Sequence, residues 1–284
     1  MNKTIGKLLL GFLLMLCVCV NAQEQYDDGS NFDVVVSKDV IKGTALAKTT
    51  LLGDIASSSS QGVMLASSNS FFRVGNGKSS PRKVSGKKIA SFCIVDNDIY
   101  FTDKSNLYKI GTNNKETKVM QLPVAPRKIW SGKKVVYAVC RKGKTDNLYT
   151  IFPEQKKNIL LFSTQSYILG VDELGSLIAV MTDNSLVMID VKDKGFMAIP
   201  VNVEGIGQLL SLAVDKATGG IYLSTSKGIY RLYDEHLQKI SNDIGVLCYD
   251  KDGMLVFNNK EPYVIRLRNS FLYPKPQGVV IEIK

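Results

Sequence analysis

Histidine and tryptophan are almost missing from this chain of 284 residues, which has one of each, His236 and Trp130. A hydrolase of the Ser-His-Asp type needs a histidine base. The sequence therefore excludes that chemistry unless His236 is the base. A lone histidine in the polar stretch Tyr233–Gln238 is more typical of a solvated surface residue.

Cysteine is also scarce. Two of the five cysteines, Cys17 and Cys19, lie in an apolar N-terminal run, and three, Cys93, Cys140 and Cys248, lie in strand-like apolar segments. An odd number without short spacing disfavours both a disulfide framework and a zinc cluster. We expect the last three to be small buried hydrophobic residues. The alternative is one disulfide and one free thiol.

Long hydrophobic runs are absent except at the N-terminus, where two lysines precede an apolar run of 13 residues, Leu8–Val20, and the small residue Ala22. This order is typical of a secretory signal peptide, predicted here as residues 1–22. A transmembrane helix needs about 20 residues, so a retained anchor is the alternative and no transmembrane helix is expected in the mature chain. We predict an exported protein (periplasmic, cell-surface or secreted), with residues 23–31 as a flexible lead-in.

Helical periodicity is nearly absent, and a repeated hairpin pattern takes its place. Six times, two short apolar strands flank a turn rich in Ser, Asn, Asp, Lys and Gly, which indicates β-hairpins. The copies align on Phe72, Tyr108, Tyr149, Val187, Tyr230 and Val264. Spacings of roughly 40 residues are typical of propeller blades. We predict an all-β, six-bladed β-propeller of four-stranded antiparallel blades, with five or seven blades as alternatives, in a single domain from residue 32 to residue 284.

Closure of the ring needs one more strand. Each hairpin follows an apolar run that we assign to the inner strand of its blade, and most are followed by a weaker outer strand. The last hairpin, which ends near Arg268, has no such strand directly after it. Asn31–Ile41 and Gly278–Ile283 are both strand-like, and a terminal strand commonly completes the last blade. We favour the N-terminal segment.

The segment Leu212–Asp234 resembles the repeats of six-bladed NHL-type propellers and of bacterial sensor ectodomains. It reads LAVDKATGGIYLSTSKGIYRLYD. Those families share an apolar strand that ends in Val-Asp, then Gly-Ile-Tyr-Leu-Ser/Thr, then Gly-Ile/Leu-Tyr-Arg. Such glycines and aspartates serve tight strand connections. The resemblance therefore implies a fold and leaves the function open.

Some propellers similar to this chain are metal-dependent lactonases, which hold an ion in the central channel with Glu, Asn and Asp side chains. A hard cation needs several converging oxygen ligands. The starts of the inner strands offer Asp54, Ser91, Arg127, Ser166, Gln208 and Asp243. Because these make a poor cage, we predict no metal site, no cofactor and no catalytic residue. Asp172, Asp215 and Asp250, near the ends of inner strands, are assigned to turn capping.

Basic residues are concentrated in one part of the chain. The net charge is +10, and residues 78–157 contain 18 basic and 6 acidic residues. The sequence predicts a basic patch on one sector of the disk, composed of Arg82, Lys83, Lys87, Lys88, Lys128, Lys133, Lys134, Arg141, Lys142 and Lys144. Such a patch attracts an acidic partner, a glycan or a membrane surface, whereas solvated lysines at strand edges are the alternative. Nucleic acid is not expected, because the sequence shows no nucleic-acid-binding motif.

Trp130 lies beside this basic sequence in a predicted inner strand. Packed between blades, it would be structural. Directed into the channel mouth, it would offer a stacking surface for a sugar ring or an aromatic ligand, with Tyr167 as its neighbour around the ring. We assign Arg127, Trp130 and Tyr167 as the candidate binding site.

These observations favour an exported, non-catalytic, monomeric propeller that binds a protein or an acidic glycan through one face. A metal-dependent lactonase or hydrolase is the first alternative. The second is an accessory component of an envelope complex, in which the terminal segments make the contact.

Overall fold

The computed structural model describes residues 36–41, 50–74, 81–191, 195–200, 205–233, 236–258 and 263–269. The predicted signal peptide, the lead-in at 23–31 and the strand-like segment at 278–283 lie outside these ranges. Within the ranges, every regular element is a β-strand. No helix there has the length and apolar character that a membrane crossing requires.

The described strands form six four-stranded antiparallel sheets, which are the blades of a six-bladed β-propeller. The first strand is β1 (Val36–Ile41). Blade 1 contains β2 (Leu51–Ser58), β3 (Gly62–Ser67), β4 (Ser70–Val74) and β5 (Arg82–Lys83). Blade 2 contains β6 (Ser91–Val95), β7 (Asp98–Asp103), β8 (Asn106–Ile110) and β9 (Glu116–Gln121). Blade 3 contains β10 (Pro126–Ser131), β11 (Val136–Lys142), β12 (Thr145–Phe152) and β13 (Lys157–Thr164).

The second half of the ring repeats this order. Blade 4 contains β14 (Ile168–Leu174), β15 (Leu177–Thr182), β16 (Ser185–Asp190) and β17 (Gly195–Pro200). Blade 5 contains β18 (Leu209–Val214), β19 (Ile221–Thr225), β20 (Gly228–Tyr233) and β21 (His236–Ser241). Blade 6 contains β22 (Val246–Asp250), β23 (Gly253–Asn258) and β24 (Tyr263–Asn269). The predicted fold class and blade number are confirmed. His236, however, is the first residue of a strand, whereas the sequence placed it in a turn.

Strand β1 completes blade 6. It pairs antiparallel with β24, from Val36 opposite Asn269 to Ile41 opposite Val264, and it is the outer strand of that sheet. The N-terminal segment favoured by the sequence therefore closes the ring, and the first described strand is joined to the last.

The hydrophobic core is divided into six layers, one between each pair of adjacent blades. Strand β3 shows why. Its side chains alternate, so Val63 and Leu65 pack towards blade 6 while Met64 and Ala66 pack towards blade 2. Because a neighbouring blade covers each face, such strands are nearly continuous in apolar residues. Each fully buried large side chain contributes about 1.5–3 kcal/mol.

Hydrogen bonds between blades add to this packing at every one of the six interfaces. In five of them a side-chain oxygen accepts a main-chain N–H of the next inner strand, and in the sixth a serine donates to an aspartate. The bonds are Phe92 N to Asp54 Oδ2 (3.2 Å), Ile129 N to Ser91 Oγ (3.1 Å), Ile168 N to Asp146 Oδ2 (2.9 Å), Val214 N to Asp172 Oδ2 (2.9 Å), Leu247 N to Ser211 Oγ (3.1 Å) and Ser57 Oγ to Asp250 Oδ2 (3.0 Å). Polar residues in inner strands thus have a structural reason to be there.

Cys93, Cys140 and Cys248 are free thiols. Cys93 and Cys140 are buried and Cys248 is partly buried. Burial raises the pKa of Cys140 to about 11 and that of Cys248 to about 12. These thiols are therefore protonated at neutral pH and behave as small apolar side chains.

Candidate functional site

The ring has two distinct ends. Each blade repeats the same strand order, so the six inner strands run in the same direction along the central channel. We call the end where they begin the upstream end and the end where they finish the downstream end. Connections between blades and the turns between second and third strands lie upstream, whereas the turn after each inner strand lies downstream.

A cavity of about 230 Å³ occupies the channel. Its wall includes residues of all six inner strands, mostly from the middle of the channel to the downstream end. The polar and aromatic groups in this wall include Asp54, Lys128, Trp130, Asp172, Lys216 and Tyr249. The inner strands of blades 4 and 5 approach each other closely at Gly170. A Cβ added at this glycine would lie only 2.5 Å from Leu212 Cβ. A side chain does not fit there.

Lys128 and Trp130 line the cavity from the same strand, and the partly buried Trp130 also packs against the hydrophobic layer between blades 3 and 4. They are two residues apart in β10, so they share a face of the sheet. Lys128 Nζ lies 5.7 Å from the centre of the Trp130 ring, within cation–π range. The same ammonium group lies 3.3 Å from Asp54 Oδ1 of blade 1. One wall of the cavity therefore combines an aromatic surface, a cation and a carboxylate.

Asp172 and Lys216 form a second ion pair in the wall, with 3.5 Å between Asp172 Oδ1 and Lys216 Nζ. Asp172 also accepts hydrogen bonds from the N–H groups of Glu173 and Val214. Burial raises the pKa of Asp172 above its ordinary value, although Lys216 and the two N–H groups act in the opposite direction. With Asp54 and Lys128, and with the exposed Asp96 just after β6, the wall has three carboxylates and two ammonium groups, so it carries a small excess of negative charge.

The other two predicted site residues, Arg127 and Tyr167, lie at the upstream end. Arg127 occupies a β-bulge at the start of β10, where the pairing with β11 shifts between Pro126 and Lys128. Its guanidinium donates to Ile168 O in blade 4 and to Asp146 Oδ2, both at 2.7 Å. The Arg127 guanidinium lies 5.4 Å from the Tyr167 ring centre. The structure therefore joins Arg127 to Tyr167, and no contact described by the structure joins either to Trp130.

Sequence reasoning assigned Arg141 to the basic patch and not to the upstream cluster, and it missed Asp146 altogether. Arg141, at the end of β11, stacks on Tyr167 with 3.8 Å between its Cζ and the ring centre. It also donates to Asp146 Oδ1 at 3.1 Å. Asp146 is fully buried beneath both guanidinium groups. A carboxylate at the polar start of β12, directly opposite an arginine across the hairpin, is the sequence pattern that identifies this pair.

The predicted basic patch does not form one continuous surface. Lys133 and Lys134 lie at the downstream turn of blade 3. Arg141, Lys142 and Lys144 lie at the upstream turn of the same blade, beyond the seven residues of β11, roughly 20 Å away along the strand.

The remaining residues of the predicted patch are also spread out. Lys128 lies in the channel, and Lys87 pairs with Glu116. Arg82 is half-buried in β5, while Lys83 and Lys88 are exposed.

The aspartates assigned to turn capping divide into two kinds. Asp215 caps its own turn, because its carboxylate accepts from Ala217 N at 2.9 Å and Thr218 Oγ1 at 2.6 Å. Asp250 accepts from Asp252 N but also binds Arg266 through two bonds. Asp172 is of the second kind as well, because its carboxylate accepts a hydrogen bond from Val214 N in the next blade.

A lactonase-type metal site does not fit these residues. In the described part of the chain, no three Asp, Glu, His or Cys side chains are grouped so that they could hold a metal ion. Two of the three carboxylates of the channel wall, those of Asp54 and Asp172, each accept from a main-chain N–H and each face a lysine. A hard cation would compete with an ammonium group for both.

Comparisons with known proteins identify the class of fold. No protein-family model matches the sequence, and no curated protein sequence is significantly similar. Among solved structures, a proposed gluconolactonase is similar with a TM-score of 0.65 and 13% identity over 83% of this chain and 93% of that one. A Bacteroides thetaiotaomicron protein of unknown function is similar with a TM-score of 0.61 and 14% identity over 82% and 76%.

The extracellular domain of the proposed hybrid two-component system BT4673 from B. thetaiotaomicron gives a TM-score of 0.53 and 13% identity, covering 82% of this chain and 39% of that one. This chain thus spans about two-fifths of the length of that ectodomain chain. At these identities the similarities establish the propeller fold alone.

Proposed function

We propose that this chain is an exported, non-catalytic recognition propeller that binds a glycan through the downstream end of its channel. The observation that supports this most directly is the position of Trp130 in the cavity wall, beside Lys128 and opposite Asp54. A sugar ring has an apolar C–H face that stacks on an aromatic side chain, and hydroxyl groups that pair with carboxylates and ammonium groups.

The size of the cavity limits what enters it. Ligand pockets for drug-sized molecules occupy about 300–1,000 Å³, and this cavity measures about 230 Å³. It therefore suits a single sugar residue, with the rest of the glycan outside the downstream end. Because the wall has three carboxylates and two ammonium groups, a neutral, hydroxyl-rich residue matches it better than an acidic one.

The same geometry supports a binding role over the metal-dependent hydrolase. The wall carboxylates Asp54 and Asp172 are already engaged by N–H groups and lysines, and such carboxylates are poor ligands for a divalent ion. The predicted signal peptide and the similarity to bacterial extracellular domains support export.

The single tryptophan makes the proposal directly testable. Trp130 is the only tryptophan of the sequence, so intrinsic indole fluorescence reports on the cavity wall alone. We expect a saturable change in this fluorescence with at least one member of a panel of neutral and acidic oligosaccharides. By calorimetry, Trp130→Ala should abolish binding of that oligosaccharide and Trp130→Phe should retain part of it.

A variant far from the channel serves as the control. Lys83→Gln, at an exposed position in the outer strand β5 of blade 1, should leave sugar affinity unchanged. Unaltered calorimetric binding by Trp130→Ala would contradict the proposed site. One tightly bound metal ion per purified chain would favour the hydrolase instead.

A further inference from the structure

The upstream cluster contains more positive charge than its structural role requires. Two guanidinium groups, those of Arg127 and Arg141, share one carboxylate, that of Asp146. Among the described residues, no other carboxylate lies within ion-pair distance of either arginine. One positive charge is therefore left over. The exposed Lys142 and Lys144, in the adjacent turn, add two more.

Other ion pairs of the ring do not show this surplus. Arg266 pairs with Asp250 alone, and Lys87 pairs with Glu116 alone. Lys109 faces two carboxylates, those of Asp98 and Glu154. The upstream cluster is thus the place in the described chain where two arginines converge on a single acid.

The hydrogen bonds of the cluster leave donors free on its solvent side. A guanidinium has five N–H donors in a fixed planar arrangement. Arg127 uses Nη2 for Asp146 and Ile168 O, and Arg141 uses Nη1 for Asp146 and Nη2 for Lys144 O. The side chains of Arg127 and Arg141 remain 36% and 24% exposed. Their other N–H groups can therefore meet a ligand.

Both arginines are also held in place before any ligand arrives. Asp146 is fully buried and fixes one edge of each guanidinium, while the Tyr167 ring lies against Arg141 and near Arg127. The main chain of Tyr167 accepts from Asp183 N at 3.0 Å. Two guanidinium groups fixed this way lose little side-chain entropy on binding, which favours affinity.

We infer that Arg127 and Arg141, with Tyr167 beside them, form an oxyanion-binding site for a carboxylate or a sulfate group at the upstream end of blades 3 and 4. Arginine is suited to such groups because its planar donors match two oxygens at once. Lys142 and Lys144 raise the local concentration of anions but do not define the geometry. This site is separate from the channel and does not depend on the proposed sugar site.

Nuclear magnetic resonance of protein labelled with [15N]arginine tests the site at the level of single side chains. The sequence has seven arginines, so the side-chain Nε–H signals can be assigned by substitution. The probes are sodium sulfate and a trisaccharide of galacturonic acid, which separate sulfate from carboxylate, with sodium chloride at equal ionic strength as reference. We expect saturable shifts at Arg127 and Arg141 with at least one probe and no shift at Arg266.

Variants complete the test. Arg141→Gln should weaken binding of the effective probe about tenfold, the loss of one charge-assisted contact. Lys109→Gln, which removes one positive charge from an ion pair elsewhere, should not change it. Should Arg141→Gln fail to fold, the exposed double variant Lys142→Gln/Lys144→Gln is expected to weaken binding about two- to threefold through lost attraction. Equal shifts at Arg266, linear shifts that sodium chloride reproduces, or an equal effect of Lys109→Gln would overturn the proposal.

Discussion

Asp172 and Asp250 both lie near the ends of inner strands, in blades 4 and 6, yet their pKa values are displaced in opposite directions. Burial raises the pKa of Asp172, and Lys216 at 3.5 Å only partly offsets it. Burial also acts to raise the pKa of Asp250, but the two hydrogen bonds from Arg266 and the one from Asp252 N outweigh it and the pKa is lowered.

This difference in pKa distinguishes Asp250, which has a structural role, from Asp172, which can contact a ligand. Asp250 is held by a planar guanidinium and by Ser57 of blade 1, so it connects the last blade to the first. Asp172 faces the cavity with a mostly exposed lysine as its partner. A carboxylate in a cavity wall whose pKa is raised by burial is the kind that a ligand can use. A place near the end of an inner strand therefore does not decide the role of an aspartate; its partner cation does.

The largest effect is expected from Arg266→Ala. Removal of this buried partner leaves the Asp250 carboxylate without its cation, a change that typically costs about 3–5 kcal/mol. Urea unfolding at pH 7 measures the loss. Lys216→Ala, which removes the partner of Asp172, is the matched variant. Similar losses for the two would contradict the distinction between the acids.

The next largest effect is an opposite pH dependence of the stability that Asp250 and Asp172 contribute. Because the folded-state pKa of Asp250 is lowered, its stabilisation is present above the ordinary value of about 3.9 and is lost as pH falls. Asp172 has a raised folded-state pKa, so its destabilisation of the fold develops as pH rises from the ordinary pKa to the raised one and is constant above it. Between pH 3.5 and pH 7, Asp250→Asn should therefore become more destabilising and Asp172→Asn less so. Denaturant unfolding at several pH values checks both signs.

A smaller effect on stability, but a clear one on binding, is expected from Asp172→Asn. Asparagine keeps one oxygen to accept from Val214 N and removes a buried charge, so the free energy of unfolding at pH 7 should change by less than about 1 kcal/mol. If the channel binds a sugar, its affinity should fall by about tenfold, because hydrogen bonds to charged groups are stronger than neutral ones. Unchanged affinity would remove Asp172 from the proposed site.

The smallest effect is expected from Lys216→Gln. The Lys216 side chain is 57% exposed, and ion pairs of exposed lysines contribute little, about 0–1 kcal/mol. Its melting temperature should match that of the unaltered protein within error. A large loss would show that Asp172 depends on its cation as strongly as Asp250 does.

Most of the fold was accessible to sequence reasoning because the evidence for it is local. Turn residues and alternating apolar positions identify each hairpin, and the repeat spacing identifies the blades. Even the outer strands, which are more polar, were placed, as in β13. The closing role of β1 followed from the missing outer strand after Arg268.

The site was harder to predict because it depends on direction as well as spacing. Trp130 and Tyr167 were placed together around the ring, but Trp130 faces the channel and Tyr167 lies at the upstream end. Alternation along β10 already puts Lys128 on the same face as Trp130, and that signal was overlooked. The bulge that directs Arg127 towards blade 4 depends on tertiary structure, and no local sequence pattern predicts it.

The pairing of β1 with β24 also sets an order of events. Blade 6 lacks an outer strand until residues from the two ends of the described chain meet, so the ring stays open while its other blades assemble. Contacts between residues so far apart in sequence carry the greatest entropic cost of loop closure. Because chains are synthesised from the N-terminus, β1 is made before the other described strands, but its partner β24 is made after them. Until β24 has been synthesised, β1, the first described strand, has no strand to pair with.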